Sequence, residues 1–359
     1  MCSIIWYSVY GNIKTFKSPN YSLIVWILTR LERNSIMIKF TKLGVVMRPF
    51  KDQFGSFARF NPGIQLKDGI VHMLYRATNS DIKDKEKYIS YIGYAKLDTK
   101  TNILYDSNDK VIYPTLPEEI KGCEDPRIVE FEGCFYIFYT AYDGITARVA
   151  IAKTEDFIKY DKLGVIKHFS WDKDAFIFPE RINGMIGYLH RISPNIQLDY
   201  FESFDELLSI NSWEDYENKI ETSTIMKSEY FWENQKIGGS VPPIKTAKGW
   251  LLLYHAVDDQ FVYRGSVALL DLENPSNVIA RIPYPLLEPV EEYELFGDVN
   301  NVVFPEGAYI HEGELYIYYG AADKYIAVAK IEVDLLLAEL TKYPVNYKLV
   351  KLQSLPKDI

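Results

Sequence analysis

Apolar runs that close on an aromatic residue or leucine and then turn polar or small recur five times: HMLYRA (72–77), YIFYTA (136–141), GYLHRI (187–192), LLYHAV (252–257) and IYYGAA (317–322). Aligned on Tyr75, Tyr139, Leu189, Tyr254 and Tyr319, the copies lie 64, 50, 65 and 65 residues apart. Each is followed by a second strand-like segment, opening at Tyr91, Arg148, Asn195, Tyr263 and Tyr325. A turn glycine (Gly69, Gly133, Gly184, Gly249, Gly313) precedes most copies. Helical periodicity between the pairs is scarce. Near-regular antiparallel pairs predict radial repetition, and a five-bladed β-propeller of about four strands per blade suits this length. A β-sandwich or two smaller β domains are the alternatives within the all-β class.

Two segments break the pattern. Residues 1–36 carry an apolar piece, YSLIVWIL (21–28), flanked by Lys17, Arg30 and Arg33. It is too short to span a bilayer and lacks a small-residue cleavage site. We read 1–36 as an extension, either a mistaken translation start or a poorly ordered segment, with the propeller domain over 37–359. Near the other end, VDLLLAELTKYPVNYKLVKL (333–352) begins as a helix that packs on the propeller or on a partner. Oligomeric state is not readable from these patterns, and a homo-oligomer is compatible with them.

In a propeller, equivalent repeat positions face one another across an axial cavity. Immediately after the aligned aromatics come Arg76, Thr140, His190 with Arg191, His255 and Gly320, and slightly further on Asp143, Asp258 and Asp323. Asp143, in YDG, reads as a turn former. Arg191 and His255 follow apolar strands, where an unpaired cation is costly and calls for an anion or a ligand. Polar clusters of similar grammar lie between the repeats: RFNPG with Asn61, GCEDPRI with Glu124 and Asp125, DKDAFIFPERING with Lys173 and Asp174, QKIGGSVPPI with Lys236, and VNNVVFPEGA with Glu306. Asn61 precedes a proline, which favours an extended or turn conformation.

Charge sharpens this picture. The chain carries a net charge of −9, which argues against nucleic-acid binding. Arg76, Lys173, Arg191, Lys236 and His255 nevertheless gather at the expected cavity, and positive charge inside an acidic protein points to a small anionic ligand such as phosphate. Aromatic residues make up 15% of the chain, with 28 Tyr and 6 Trp, which suits both a β-rich fold and the stacking of sugar rings. The three cysteines, Cys2, Cys123 and Cys134, form neither a disulfide framework nor a metal spacing, so a reducing cytoplasm is expected. No glycine-rich nucleotide loop or metal cluster is present, and no cofactor is expected.

The stretches FNPG, LYRA, GCEDPRI, KDAFIFPERING, LHR, KIGGSVPPI, GWLLLYHAV, LLDLENPSNVI, VVFPEGA and YYGAAD, taken in order, resemble glycoside hydrolase family 130 over roughly residues 40–335. That family comprises β-mannoside phosphorylases and related mannosidases and is itself five-bladed. The resemblance implies that Asp125 is the catalytic acid; Glu124 is expected to face an arginine such as Arg127, or the preceding loop, and to act as support. It implies that Asn61, Arg76 and Asp323 hold the mannose ring, and that Arg191, Lys236, His255 and Tyr263 form the phosphate site, joined by Lys173. Reduced solvation at the cavity floor is expected to keep Asp125 protonated when substrate is bound.

The reaction so implied is an inverting displacement. Inorganic phosphate, a co-substrate, attacks the anomeric carbon of a β-mannoside while Asp125 protonates the leaving oxygen, relayed through the mannose 3-hydroxyl. The products are α-mannose 1-phosphate and a shortened sugar. The acceptor stays open among mannose linked β-1,2 and glucose or N-acetylglucosamine linked β-1,4. Two rivals remain at this level: a β-mannoside hydrolase with Glu306 or another acid as base, since the Glu306 position departs from the small or neutral residue expected of many phosphorylases, and a silent sugar-binding propeller.

Overall fold

A computed structural model describes residues 37–168 and 171–345; the extension expected at 1–36 and the tail after 345 lie outside the described residues. Strand β1 (Thr41–Met47) comes first in the chain but completes the last blade. The first blade is β2 (Ala58–Lys67), β3 (Ile70–Thr78), β4 (Tyr91–Leu97) and β5 (Ile103–Ile112). The second is β6 (Gly122–Phe131), β7 (Cys134–Tyr142), β8 (Ala147–Thr154) and β9 (Asp161–Val165). The third is β10 (Lys173–Ile177), β11 (Ile186–Arg191), β12 (Ile196–Phe201) and β13 (Thr224–Met226). The fourth is β14 (Lys236–Gly239), β16 (Gly249–Val257), β17 (Tyr263–Leu270) and β18 (Val278–Arg281), with the short β15 (Ile244–Thr246) also paired to β16. The fifth is β19 (Val303–His311), β20 (Glu314–Ala321) and β21 (Tyr325–Glu332), with β1 antiparallel to β21. That last pairing joins the two ends of the domain and closes the ring, so the fold is the five-bladed propeller expected.

The register corrects one detail. The five repeats of the sequence, in β3, β7, β11, β16 and β20, are the second strand of each blade rather than the first. The inner strands are β2, β6, β10, β14 and β19, the polar clusters between the repeats, and neighbouring ones among them meet across blade boundaries. The turns between inner and second strands carry the expected glycines, with Gly69, Gly133, Gly184 and Gly313 at φ of 77°, 82°, 83° and 78°, a region that only glycine enters freely.

The hydrophobic core is built between blades. Leu74 and Tyr94 of the first blade pack with Phe135, Ile137 and Tyr139 of the second, while Met73 and Tyr75 pack with Tyr318 and Ile326 of the fifth. A larger cluster joins the second, third and fourth blades around Tyr188, Trp213, Trp232 and Trp250. Burying such aromatic and aliphatic side chains contributes about 1.5–3 kcal/mol each and holds the blades in register. Helix Val333–Leu340 buries Leu336, Leu337 and Leu340 and contacts β17 and β21, so the C-terminal helix packs on the propeller itself. Among the described residues no helix is long and apolar enough to cross a membrane.

Candidate active site

Each of three inner strands breaks its ladder at one residue. The register of β2 slips between Phe60 and Pro62, that of β6 between Glu124 and Arg127, and that of β10 between Lys173 and Phe176. At these breaks Asn61, Asp125 and Asp174 adopt φ of 47°, 54° and 56°. Asn and Asp tolerate this left-handed conformation better than other residues with a Cβ, and a bulge re-aims a side chain out of the alternation. A turn conformation, not an extended one, is therefore what the proline after Asn61 accompanies. The bulge of β2 comes so close to β20 of the fifth blade that a Cβ on Gly320 would lie 1.9 Å from Asn61 Oδ1. Glycine is the residue that fits.

Asp125 is buried, and its Oδ1 accepts from Asn61 Nδ2 at 2.9 Å and from Arg76 Nη1 at 3.0 Å. Its Oδ2 has no protein partner among the described residues. Burial pushes this carboxyl up, but Arg76, Lys173, the Asn61 hydrogen bond and Arg127 outweigh it and hold the group below the usual carboxylate range. In the unliganded protein Asp125 is thus ionised rather than protonated. Arg76 also donates to Ser90 Oγ (2.9 Å), Tyr88 Oη (3.2 Å) and Glu124 Oε1 (2.8 Å). Glu124 meets Lys173 Nζ at 3.2 Å through its other oxygen. It thus faces an arginine, as expected, though Arg76 and not Arg127, together with Lys173 and with Ser90 Oγ, which donates at 3.2 Å. Asp323, in the turn between β20 and β21, is raised to about 7, first by burial and then by Asp125, Asp298 and Glu124 against the pull of Arg76.

A second group gathers around Asp174. Its Oδ1 accepts from Arg127 Nη2 at 3.1 Å, and its Oδ2 from Arg191 Nε at 2.5 Å, with His255 Nε2 at 3.4 Å. Among the described residues Arg191 uses no other side-chain nitrogen. Lys236 forms no ion pair or hydrogen bond among the described residues; its ammonium lies 5.5 Å from the Tyr263 ring, and burial followed by Arg191 lowers it to about 8. Tyr263 stacks on His255 with 6.5 Å between centroids. Burial drops His255 to about 4, so it is a neutral imidazole near pH 7 and not one of the cations counted from the sequence. Arg127 ties the two groups together: it donates to the backbone carbonyls of Asp125, Gly239 and Ser240 as well as to Asp174.

Of the residues singled out from the sequence, Asn61, Arg76, Glu124, Asp125 and Lys173 form one connected network, and Arg191, His255, Lys236 and Tyr263 form its neighbour. His190 is separate. It sits inside the third blade, bonded to Asp172 at 3.0 Å, Asp199 at 3.1 Å and Tyr216 at 2.9 Å, and those acids outweigh burial to raise it to about 9. Asp143 and Asp258 cap their turns, accepting from backbone N–H groups two to four residues on and pairing with Arg148 and Arg264. Tyr88 and Ser90 complete the site yet were not picked out, and Asp174 and Arg127 were noted without being given a place in the binding set. Asp174 and Arg127 stand within motifs already quoted, whereas Tyr88 and Ser90 lie in a polar loop with no periodic signal.

Comparison with known proteins adds to this geometry. A family model described as beta-1,4-mannooligosaccharide phosphorylase, for glycoside hydrolase 130, matches residues 38–342. A 1,2-beta-oligomannan phosphorylase of Thermoanaerobacter sp. (strain X514) is 37% identical over 305 residues, covering 83% of this chain and 98% of its own. A beta-1,2-mannobiose phosphorylase of the same strain is 37% identical over 312 residues, covering 83% and 99%. Among solved structures, beta-1,2-mannobiose phosphorylase from Listeria innocua in complex with beta-1,2-mannobiose superposes with a TM-score of 0.70 at 23% identity, over 86% of this chain and all of that one, a likeness of fold.

Proposed function

The chain belongs to glycoside hydrolase family 130, and from that premise we propose that it is an inverting phosphorylase of β-1,2-linked mannosides that uses inorganic phosphate. The observation that carries this reading is the weakly compensated positive charge beside Asp174: among the described residues, both terminal nitrogens of Arg191 make no hydrogen bond and Lys236 forms no ion pair. A lectin has no need of such a pair, and a hydrolase has no anion to hold with it. The two Thermoanaerobacter relatives, both named for β-1,2 linkages, support that linkage over β-1,4.

In this mechanism Arg191, Lys236 and Lys173 clamp phosphate with charge-assisted contacts, and neutral His255 and Tyr263 border it. Asn61, Arg76, Glu124 and Asp323 orient the mannose ring. A phosphate oxygen attacks the anomeric carbon as the bond to the leaving oxygen breaks. That oxygen takes its proton from Asp125, directly or through the mannose 3-hydroxyl, and Asp125 returns to carboxylate. The ionised state of free Asp125 makes the order of events matter. An anion beside Lys173 cancels part of the field that keeps Asp125 deprotonated, so phosphate binding promotes the acid form. Phosphate is a co-substrate, and no cofactor enters. Free thiols at Cys123 and Cys134 support a cytoplasmic location.

Hydrolysis with Glu306 as base is less well supported, because Glu306 is fully buried and a base must reach a water. The test is incubation with β-1,2-mannobiose with and without inorganic phosphate. Phosphate-dependent α-mannose 1-phosphate is expected; free mannose released equally fast without phosphate overturns the proposal.

A further inference from the structure

Glu306 stands in β19 where the register slips between Pro305 and Gly307. It is 0% exposed, and neither carboxyl oxygen has a hydrogen-bond partner among the described residues. The cation beside it, Arg127 Nη1, lies 3.5 Å from Oε1, beyond a good hydrogen bond. Arg127 already makes four hydrogen bonds, to three backbone carbonyls and to Asp174, and so has one N–H left for Glu306. The other charged groups acting on Glu306 are Asp125 of β6, Asp174 of β10 and Arg76 of β3, two of them acidic. A carboxylate so placed has no solvation and no cation of its own, and carries a penalty of several kcal/mol that protonation removes. Burial, reinforced by Asp125 and Asp174 against Arg127 and Arg76, accordingly raises this group well above its ordinary 4.5.

The charge balance gives that state a use. Arg76 and Lys173 are matched by Asp125 and Glu124, whereas Arg127, Arg191 and Lys236 face the single carboxylate of Asp174. With Glu306 neutral, this end carries two net positive charges, the complement of a phosphate dianion. We propose that Glu306 is a positioning residue that must stay uncharged for the cavity to accept phosphate, because its carboxylate and the anion would draw on the same cations. This inference rests on the phosphorylase reading above.

The closing experiment compares wild type with Glu306→Gln, whose neutral amide mimics the protonated acid. Above pH 4.5 the unfolded chain loses the Glu306 proton and the folded chain keeps it, so the group lowers stability progressively as pH rises. Glu306→Gln removes that loss: its melting temperature exceeds wild type at about pH 8, and the gap closes towards about pH 4.5. The infrared carboxylic-acid C=O band of wild type at neutral pH shrinks in the variant. Its KM for phosphate stays within about twofold at pH 7 and falls below that of wild type at alkaline pH, a ratio from which the titrations of Lys236 and of phosphate itself cancel. A lower melting temperature at pH 8 with an unchanged infrared band means an ionised Glu306 paired to Arg127 and overturns the proposal. So does a KM ratio that is flat with pH. Glu306→Met serves should the glutamine variant fold poorly. Calorimetry of wild type with phosphate separates the two levels: no phosphate binding sinks the phosphorylase reading, while binding with the wrong Glu306 signature sinks this inference alone.

Discussion

Arg76 and Arg191 occupy the two ends of one axial site and are used in opposite ways. Arg76 donates to Ser90, Tyr88, Glu124 and Asp125, so its guanidinium is committed to the protein. Among the described residues Arg191 makes one side-chain hydrogen bond, through Nε to Asp174, and Lys236 next to it makes no ion pair or hydrogen bond. The first arrangement holds a rigid carboxylate pair for orienting a neutral ring, where hydrogen-bond geometry matters most. The second keeps charge poorly compensated, which costs stability and confers affinity for an anion. In the function proposed above, saturation marks the end that orients the sugar and deficiency the end that takes phosphate.

The sharpest way to break this contrast is at the acid. Asp125→Asn is expected to lower phosphorolysis by about 10²–10⁴-fold, the usual contribution of a general acid, with the fold retained by circular dichroism. Near-normal turnover would remove Asp125 from its role. Next is the hub: Arg127→Met leaves Asp174 short of a cation in a buried setting and is expected to cost about 3–5 kcal/mol in denaturant unfolding. At the phosphate end, Arg191→Ala or Lys236→Ala should raise KM for phosphate by about 10–100-fold, the loss of one or two charge-assisted hydrogen bonds, with far less change for the mannoside. Equal effects on both substrates would dissolve the distinction between the ends. A subtler effect is pH. Lys236 is a cation below about 8, so phosphate affinity should fall as pH rises past that point, and this limb should be missing in Lys236→Met. The smallest expected change is in stability. Lys236→Met deletes a desolvated ammonium and is expected to raise the melting temperature near neutral pH by roughly 1–3 °C, even as phosphate binding is lost. A lower melting temperature would mean that Lys236 has a structural partner after all.

The periodic aromatic-ended runs were legible because they are second strands with both faces covered, as in β16, where every residue is buried. The inner strands were harder to read as strands. Their bulges at Asn61, Asp125 and Asp174 interrupt the alternation that identifies a strand, so they stood out as polar clusters instead. Arg191 and Lys236 were legible as cations in the wrong place for an acidic chain. His190 shows the limit of that reasoning: it follows the same kind of apolar run as Arg191, but the odd–even alternation of β11 turns the two to opposite faces, one into the blade and one towards Asp174.

By itself the chain determined the five-fold repeat, the turns that bound each strand pair, and the residue types of a cation-rich, acid-bearing centre, because those are encoded locally in periodicity, glycine placement and motif chemistry. Only the tertiary structure decided which charges are matched. Glu124 sits with Arg76 and Lys173, Arg127 with Asp174, while burial lowers His255 to about 4 and pushes the Glu306 carboxyl up. Protonation and pairing depend on burial and on distances between strands far apart in sequence, and both come into being when the five blades close around the axis.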